Sequence, residues 1–293
     1  MSQPKASNIL LFIVPALIWG STWYVIKFQL GTVDPLWSVC YRFMLGGFLL
    51  LLYAAVRRIN LKFSLLEHGR MALQGVRLFG VNYWLVYEAE EELTSALVAI
   101  AFSTVIFFNI FFGSLFLGRK TAGKVYWGAG LGLLGTFLLF YQDLTGLQYE
   151  VIPVFSVIVC VLSVIIASLG NITSAANQSH GIPVIQANGF GMIYGALGMA
   201  LVATILGITP TFDLSMRYLT SLLYLSFFGS ITAFGAYLTL IGRIGPDRAA
   251  YVLVSIPVTA LAISMVLEDY QLNLIALAGV ILILTGNLIV LKK

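Results

Sequence analysis

The side chains with chemistry to offer are scattered at helical spacing through apolar sequence. Pro15, Trp19, Trp23 and Lys27 recur every four residues and share one face of a helix, with Ser21 and Thr22 beside it. Tyr83 and Tyr87 share a face next to Asn82. Ser103 and Asn109 follow in a later run, then Ser168, Asn171 and Ser174, then Thr232 and Tyr237, and finally Tyr251 and Ser255. This set offers rings, hydroxyls and amides, which grip and orient a small solute. It lacks the parts of a hydrolytic or metal centre, because His68 and His180 lie near loops and Cys40 and Cys160 sit inside apolar runs. No disulfide framework or Cys/His metal site follows from these spacings, and no cofactor is expected. An intramembrane enzyme would need a nucleophile with its base, or metal ligands, at matching depth.

What positions these residues follows from composition. Of 293 residues, 60% are hydrophobic, and the 16 Lys+Arg and 12 Asp+Glu make the chain 10% charged. A soluble domain carries roughly 25%, so a water-soluble globule, a nucleic-acid binder and a disordered chain are excluded. A hydrocarbon core about 30 Å thick needs roughly 20 apolar residues as helix. Ten runs qualify, near 8–29, 36–56, 70–90, 95–117, 123–141, 151–175, 186–207, 218–241, 248–267 and 272–291. The breaks are short, among them the acidic EAEEELT at 88–94 and the basic GRKTAGK at 118–124. Continuous apolar runs are unlike the alternating segments of a barrel. The first run, Trp-rich and without a clear small-residue cleavage site, reads as a retained helix rather than a signal peptide.

Charge sets the expected orientation. With the amino terminus in the cytoplasm, Lys5, Arg57, Arg58, Lys62, Arg70, Arg119, Lys120, Lys124, Arg243, Arg248, Lys292 and Lys293 fall inside, 12 of the 16 basic residues. Asp34, Glu88, Glu90, Glu91, Glu92, Asp143, Glu150, Asp213, Glu268 and Asp269 fall outside. The expected fold is an all-α integral membrane protein of the cell (inner) membrane, with both termini cytoplasmic.

The halves resemble each other. FGVNYWLVYEAEEELTSALVAIAFS from Phe79 has the layout of FGSITAFGAYLTLIGRIGPDRAAYVLVS from Phe228: a helix opening on Phe-Gly, a tight turn, then a helix starting with small residues. Five helices per half is odd, so the second copy enters the bilayer from the opposite face, and the signs of the matching turns invert accordingly. Residues 8–141 and 151–291 are read as a 5+5 inverted repeat of ten transmembrane helices, the architecture of secondary transporters with a site near the midplane.

PALIWGSTWYVIK at 15–27, VCYRFMLGG at 39–47, FFGSLFLGRK at 111–120 and IGPDRAAYVLVSIPVTAL at 244–261 resemble the drug/metabolite transporter superfamily, and within it the ten-helix EamA-type exporters. The resemblance spans nearly the whole chain. It implies helices 1, 3, 4, 6, 8 and 9 around a central cavity and metabolite export, amino acids being the best-known cargo. Arg77 and Glu88 stand where that pattern is usually apolar, and the fourth helix lacks a proline near Ile106 whose counterpart in the ninth is Pro257. No span centre carries the Arg or Lys cluster that a phosphorylated cargo would need. The expected cargo is therefore a neutral or zwitterionic small molecule with an apolar part, exported by alternating access. The expected site residues are Trp19, Trp23, Tyr83, Tyr87, Ser103, Asn171, Tyr237, Tyr251 and Ser255. The rival readings are a passive channel and, behind it, an intramembrane enzyme; the chain is not expected to be an enzyme.

Several features read as structural. Gly130, Gly132 and Gly135 form a GxGxxG without the preceding strand of a nucleotide site, and with Gly191, Gly195 and Gly198 they are read as close-approach points between helices. Asn171-Ile-Thr173 is a glycosylation sequon placed inside a span. Arg42 lies near the outer end of its span, from which an arginine can snorkel. Arg77, Trp84 and Glu88 fall close to one helical face, with Arg77 and Glu88 about 16 Å apart along the axis. Glu88 is either a snorkelling carboxylate at the cavity mouth or a proton-loading group that couples export to the proton gradient, with Arg77 as a gate.

Overall fold

The structure is a computed structural model that describes residues 5–93, 98, 101–139, 141, 154–267 and 273–291. Among them every regular element is helical, with no strand. In chain order these are α1 (Lys5–Ile26), α2 (Pro35–Val56), α3 (Leu65–Gly75, Val76–Val81 and Asn82–Glu92), α4 (Val105–Leu117), α5 (Gly123–Leu139), α6 (Val154–Ser179), α7 (Val184–Ile205), α8 (Met216–Tyr224, Leu225–Thr232 and Ala233–Ile244), α9 (Tyr251–Leu267) and α10 (Leu274–Leu291). The middle segments of α3 and α8 are π-helical. The acidic turn expected at 88–94 is instead helical through Glu92.

Among the described residues, five helical segments are long and apolar enough to cross a membrane: Asn8–Gln29, Pro35–Val56, Val154–Ser179, Val184–Ile205 and Met216–Ile244. Ala101–Leu117 and Leu274–Ile289 are shorter apolar helices. Their ends carry local stop and start signals. Asp34 caps α2 by accepting the Leu36 N–H at 2.8 Å, with Pro35 in the first turn. Gly118 ends α4 at φ +59°, a left-handed conformation that favours glycine.

Side-chain bonds show which helix ends lie together. Gln29 after α1, Ser38 of α2, Tyr87 of α3 and Tyr218 of α8 are linked by hydrogen bonds. Ser156 at the start of α6 donates to Glu92 at the end of α3. This is the acidic end. At the basic end, Asn177 of α6 donates to the Arg70 carbonyl of α3, Gln186 of α7 to the Asn60 carbonyl after α2, and Arg243 of α8 to Asn8 of α1.

The helices that run along each other most extensively are α2 with α7 and α5 with α10. Small residues make the closest crossings. A Cβ on Gly135 would lie 2.7 Å from the Gly279 carbonyl, and one on Gly195 would lie 2.7 Å from the Gly75 carbonyl. The core between them is aromatic and aliphatic, with Phe43, Phe79, Ile106 and Leu238 fully buried.

Candidate functional site

A cavity of about 50 Å³ lies among six helices. Its wall takes Trp19, Thr22, Trp23 and Ile26 from α1, Leu78, Asn82, Tyr83 and Val86 from α3, and Phe102 from just before α4. Ala167 and Asn171 of α6, Phe234 and Tyr237 of α8, and Leu253 and Ile256 of α9 close it. That volume has room for a few waters.

The rings form two groups, Trp19 with Phe234, Tyr237 and Tyr83, and Trp23 with Phe102. Trp19 meets Phe234 and Tyr237 edge-on at 4.9 and 5.2 Å, and Trp23 meets Phe102 at 5.5 Å. Edge-to-face rings at these separations hold one another in place. Trp19 Nε1 donates to the Gly229 carbonyl at 3.0 Å, inside the π-helical stretch of α8. Asn171 Nδ2 donates to the Tyr237 hydroxyl at 3.2 Å and to Asn109 Oδ1 at 3.4 Å. Ser168 also donates to Asn109 Oδ1, at 2.7 Å, and Asn109 Nδ2 donates to the Pro246 carbonyl at 3.0 Å. Two buried polar atoms of the wall have no partner: the donor Trp23 Nε1 and the acceptor Asn82 Oδ1. Buried polar groups ordinarily find partners, so this pair has bonding capacity to spare on the cavity wall.

Of the residues expected from the sequence, Trp19, Trp23, Tyr83, Asn171 and Tyr237 meet at this wall. The others lie away from it. Ser103 pairs with Thr136 of α5 at 3.3 Å. Tyr251 donates to the Val125 carbonyl at 2.7 Å, and Ser255 donates to the Tyr251 carbonyl at 2.9 Å and accepts from Asn287 at 2.7 Å. Tyr87 is fully buried towards the acidic end, donating to Gln29 Oε1 at 2.7 Å. Arg77 faces the basic end and donates to Thr173 Oγ1 at 2.7 Å. Glu88 is half-buried and accepts from Trp84 Nε1 at 2.8 Å.

Two charged groups are placed where the sequence did not put them. Arg42 is fully buried instead of reaching for the interface. Its Nε donates to Ser230 Oγ at 3.0 Å and its Nη1 to Tyr87 at 3.5 Å, while the guanidinium sits 4.5 Å from the Tyr83 ring centre. These neighbours replace part of its hydration, which removes the need to snorkel; Nη2 remains unpartnered. Glu90, read as part of an outer turn, is buried with neither carboxylate oxygen bonded. It falls three residues after Tyr87 and seven after Tyr83, and that spacing was the signal available to place it on their face.

Among the described residues no group of His, Cys, Asp and Glu could hold a metal ion. Comparison with known proteins bears on what the cavity is for. The model of the EamA-like transporter family matches twice, over residues 6–141 and 154–292. A probable amino-acid metabolite efflux pump of Escherichia coli (strain K12) is 26% identical, covering 98% of this chain and 94% of its own. The uncharacterized inner membrane transporter YedA of the same organism is 29% identical over 83% of this chain and 77% of its own. The uncharacterized transporter YvbV of Bacillus subtilis (strain 168) is 26% identical over 99% and 93%. One crystal structure shares the fold with a TM-score of 0.78, at 16% identity, covering 98% of this chain and 96% of its own. The chain is a multi-pass membrane transporter and not an enzyme, and it belongs to the EamA-like transporter family.

Proposed function

We propose that this protein is a secondary transporter of the inner membrane that exports small neutral or zwitterionic metabolites, amino acids or their relatives, by alternating access. The observation that carries this is the central cavity among six helices, walled by rings from α1, α3 and α8 and by Phe102, and holding one unpartnered donor and one unpartnered acceptor. Rings suit an apolar side chain, and Trp23 Nε1, Asn82 Oδ1 and Asn171 suit its polar end. The family matches over both halves and the efflux-pump relative support the export reading. At about 50 Å³ the cavity must widen to take such a cargo, as a carrier between its open states would.

The same reading takes residues 8–141 and 151–291 as a 5+5 inverted repeat of ten spans with both termini cytoplasmic. In its support, α6 begins at the acidic end where α1 stops, so the second half starts from the opposite side. The π-helical stretches fall at the matching Phe-Gly positions of α3 and α8. Glu88 and Arg77 remain the proposed coupling and gating pair.

The test is uptake of labelled amino acids into liposomes holding the purified protein, with and without a proton gradient. Saturable flux that Trp19→Ala and Tyr83→Ala weaken at unchanged expression is the expected result. Linear flux indicates a channel, and normal transport in both variants overturns this pocket. Glu88→Gln tests coupling separately: an unchanged pH profile makes Glu88 a surface charge.

A further inference from the structure

A second cavity, about 310 Å³, opens at the basic end between α3, α4 and α6. It is separate from the central one and shares none of its wall. Three basic side chains face it, Arg70 and Arg77 of α3 and His180 just beyond α6, with Thr173 beside them and Leu73 and Phe116 as apolar flanks.

The charge in this groove is unbalanced. Arg77 donates to Thr173 Oγ1, which is neutral, and neither Arg77 nor Arg70 makes an ion pair with a described residue. Glu67, one turn before Arg70, is not among the groove's lining residues, and its Oε2 is taken by the Ser64 N–H and hydroxyl, both at 2.7 Å. His180 Nδ1 lies 2.7 Å from the Ala176 carbonyl, which can only accept, so Nδ1 is the donor and Nε2 is left to face a further partner. Two guanidinium forks and an imidazole, with no carboxylate among the lining residues, suit one phosphate.

The apolar side of the groove says which phosphate. Leu73 is 47% exposed and Phe116 is 60% exposed. Phe116 is also the first rung of a ladder: Phe116 and Phe112 stack at 5.9 Å, and Phe112 and Phe108 at 6.3 Å. Eight residues of helix carry that ladder about 12 Å away from the basic mouth. A free phosphate has no use for it, whereas an acyl chain does.

We propose that the groove between α3, α4 and α6 is a binding site for one anionic phospholipid, its phosphate held by Arg70, Arg77 and His180 and an acyl chain lying along Phe116, Phe112 and Phe108. Basic pockets between membrane helices take anionic head groups in this way.

The test uses the full chain in detergent with phosphatidylglycerol and phosphatidylcholine of identical acyl chains, counting retained lipid per protein by native mass spectrometry and following thermal stability. Phosphatidylglycerol is expected to be retained at one per chain in preference to phosphatidylcholine. Arg70→Gln should weaken that preference about fivefold, and Arg70→Gln with Arg77→Gln about 25-fold. Phe116→Ala should weaken both lipids together. Equal retention of the two lipids, or a double variant that keeps the full preference, overturns the site. Inorganic phosphate that displaces phosphatidylglycerol and stabilises the protein equally well overturns the lipid assignment in favour of a free-anion site. Should the double variant fail to fold, Arg70→Gln decides alone, since the Arg70 side chain makes no hydrogen bond or ion pair with the described residues.

Discussion

Both α3 and α8 pass through a π-helical stretch around a Phe-Gly pair, but the two stretches are used differently. In each, the first amide after the stretch reaches back five residues, Asn82 N to the Arg77 carbonyl and Ala233 N to the Phe228 carbonyl. A π turn disturbs the regular ladder and frees backbone groups. In α8 these are engaged: the Gly229 carbonyl takes Trp19, and Ser230 and Thr232 bond to carbonyls five residues back. In α3 the glycine backs onto α7, with the Gly195 carbonyl 3.3 Å from a Cβ placed on Gly80, and Asn82 Oδ1 is left unpartnered at the cavity. The carboxylates follow the same division, with Glu88 and Glu90 on α3 and no Asp or Glu on α8. Two helices of matching layout thus serve differently, α8 as a tied wall and α3 as a wall with spare polar capacity.

The largest expected effect breaks the α3 copy at its backbone crossing. A Cβ on Gly75 would overlap the Gly191 carbonyl, and no side chain can move aside to relieve it. Gly75→Ala should cost about 3 kcal/mol, read as a fall in melting temperature and in folded yield from detergent. Gly235→Ala in α8 meets nothing within 4 Å. It should be neutral or stabilising by up to about 1 kcal/mol, because alanine is the better helix former. Similar losses in both variants would remove the distinction between a tight and a loose copy.

Next in size is the side chain that joins the copies. Arg42 reaches Ser230 of α8 and both Tyr87 and the Tyr83 ring of α3. Hydrogen bonds to a charged group and a desolvated cation–π contact are each worth roughly 2 kcal/mol. Arg42→Met, which keeps most of the stem, should therefore destabilise by about 2–3 kcal/mol. A loss below about 0.5 kcal/mol would mean that α3 and α8 are held together without it.

The two carboxylates of α3 sharpen the comparison by the sign of their effects. Glu90 is buried with both oxygens unbonded, so Glu90→Met removes an unsatisfied buried polar group and should stabilise by about 1–2 kcal/mol. Glu88 accepts the Trp84 N–H and is half-buried. Glu88→Gln should be neutral or lose about 0.5 kcal/mol. Thermal melts of the two variants side by side read the signs directly; the same sign for both would show that burial does not separate them.

Much of this was legible in the sequence. The apolar runs place α2, α6 and α7 within a few residues of where they lie, because a continuous apolar stretch has one economical use in lipid. The Phe-Gly pairs at Phe79 and Phe228 mark corresponding helices. What they do not encode is the π geometry: an extra residue per turn rotates Arg77 away from the Trp84–Glu88 face that a regular period draws. Glu90 was hidden by its acidic neighbours, which make a solvated turn the natural expectation. The polar residues within spans posed a different difficulty. Each must find a partner, but Ser103 and Tyr251 find theirs on α5 and Ser255 on α9 and α10, and composition does not say which neighbour that will be.

Effects of about 1 kcal/mol or less are expected where the two helices begin. Ser215 caps α8 by accepting the Tyr218 N–H at 3.2 Å. Ser64 caps α3 in the same way, and there Glu67 completes the box by returning to the Ser64 N–H. The hydrogen bonds from the Ser64 N–H and then its hydroxyl hold the Glu67 carboxyl below the usual carboxylate range. A depressed folded value means the ionised cap adds stability above the ordinary glutamate value, about 4.3, and loses it as pH falls through the folded value. Glu67→Gln should therefore melt slightly below the unaltered protein at neutral pH, and the gap should close on acidification. Ser215→Ala, whose cap is a hydroxyl without a returning carboxylate at the third helical position, should cost about 1 kcal/mol. A Glu67→Gln gap that stays undiminished as the carboxyl becomes fully protonated would show that the side chain's shape, and not its charge, supports the start of α3.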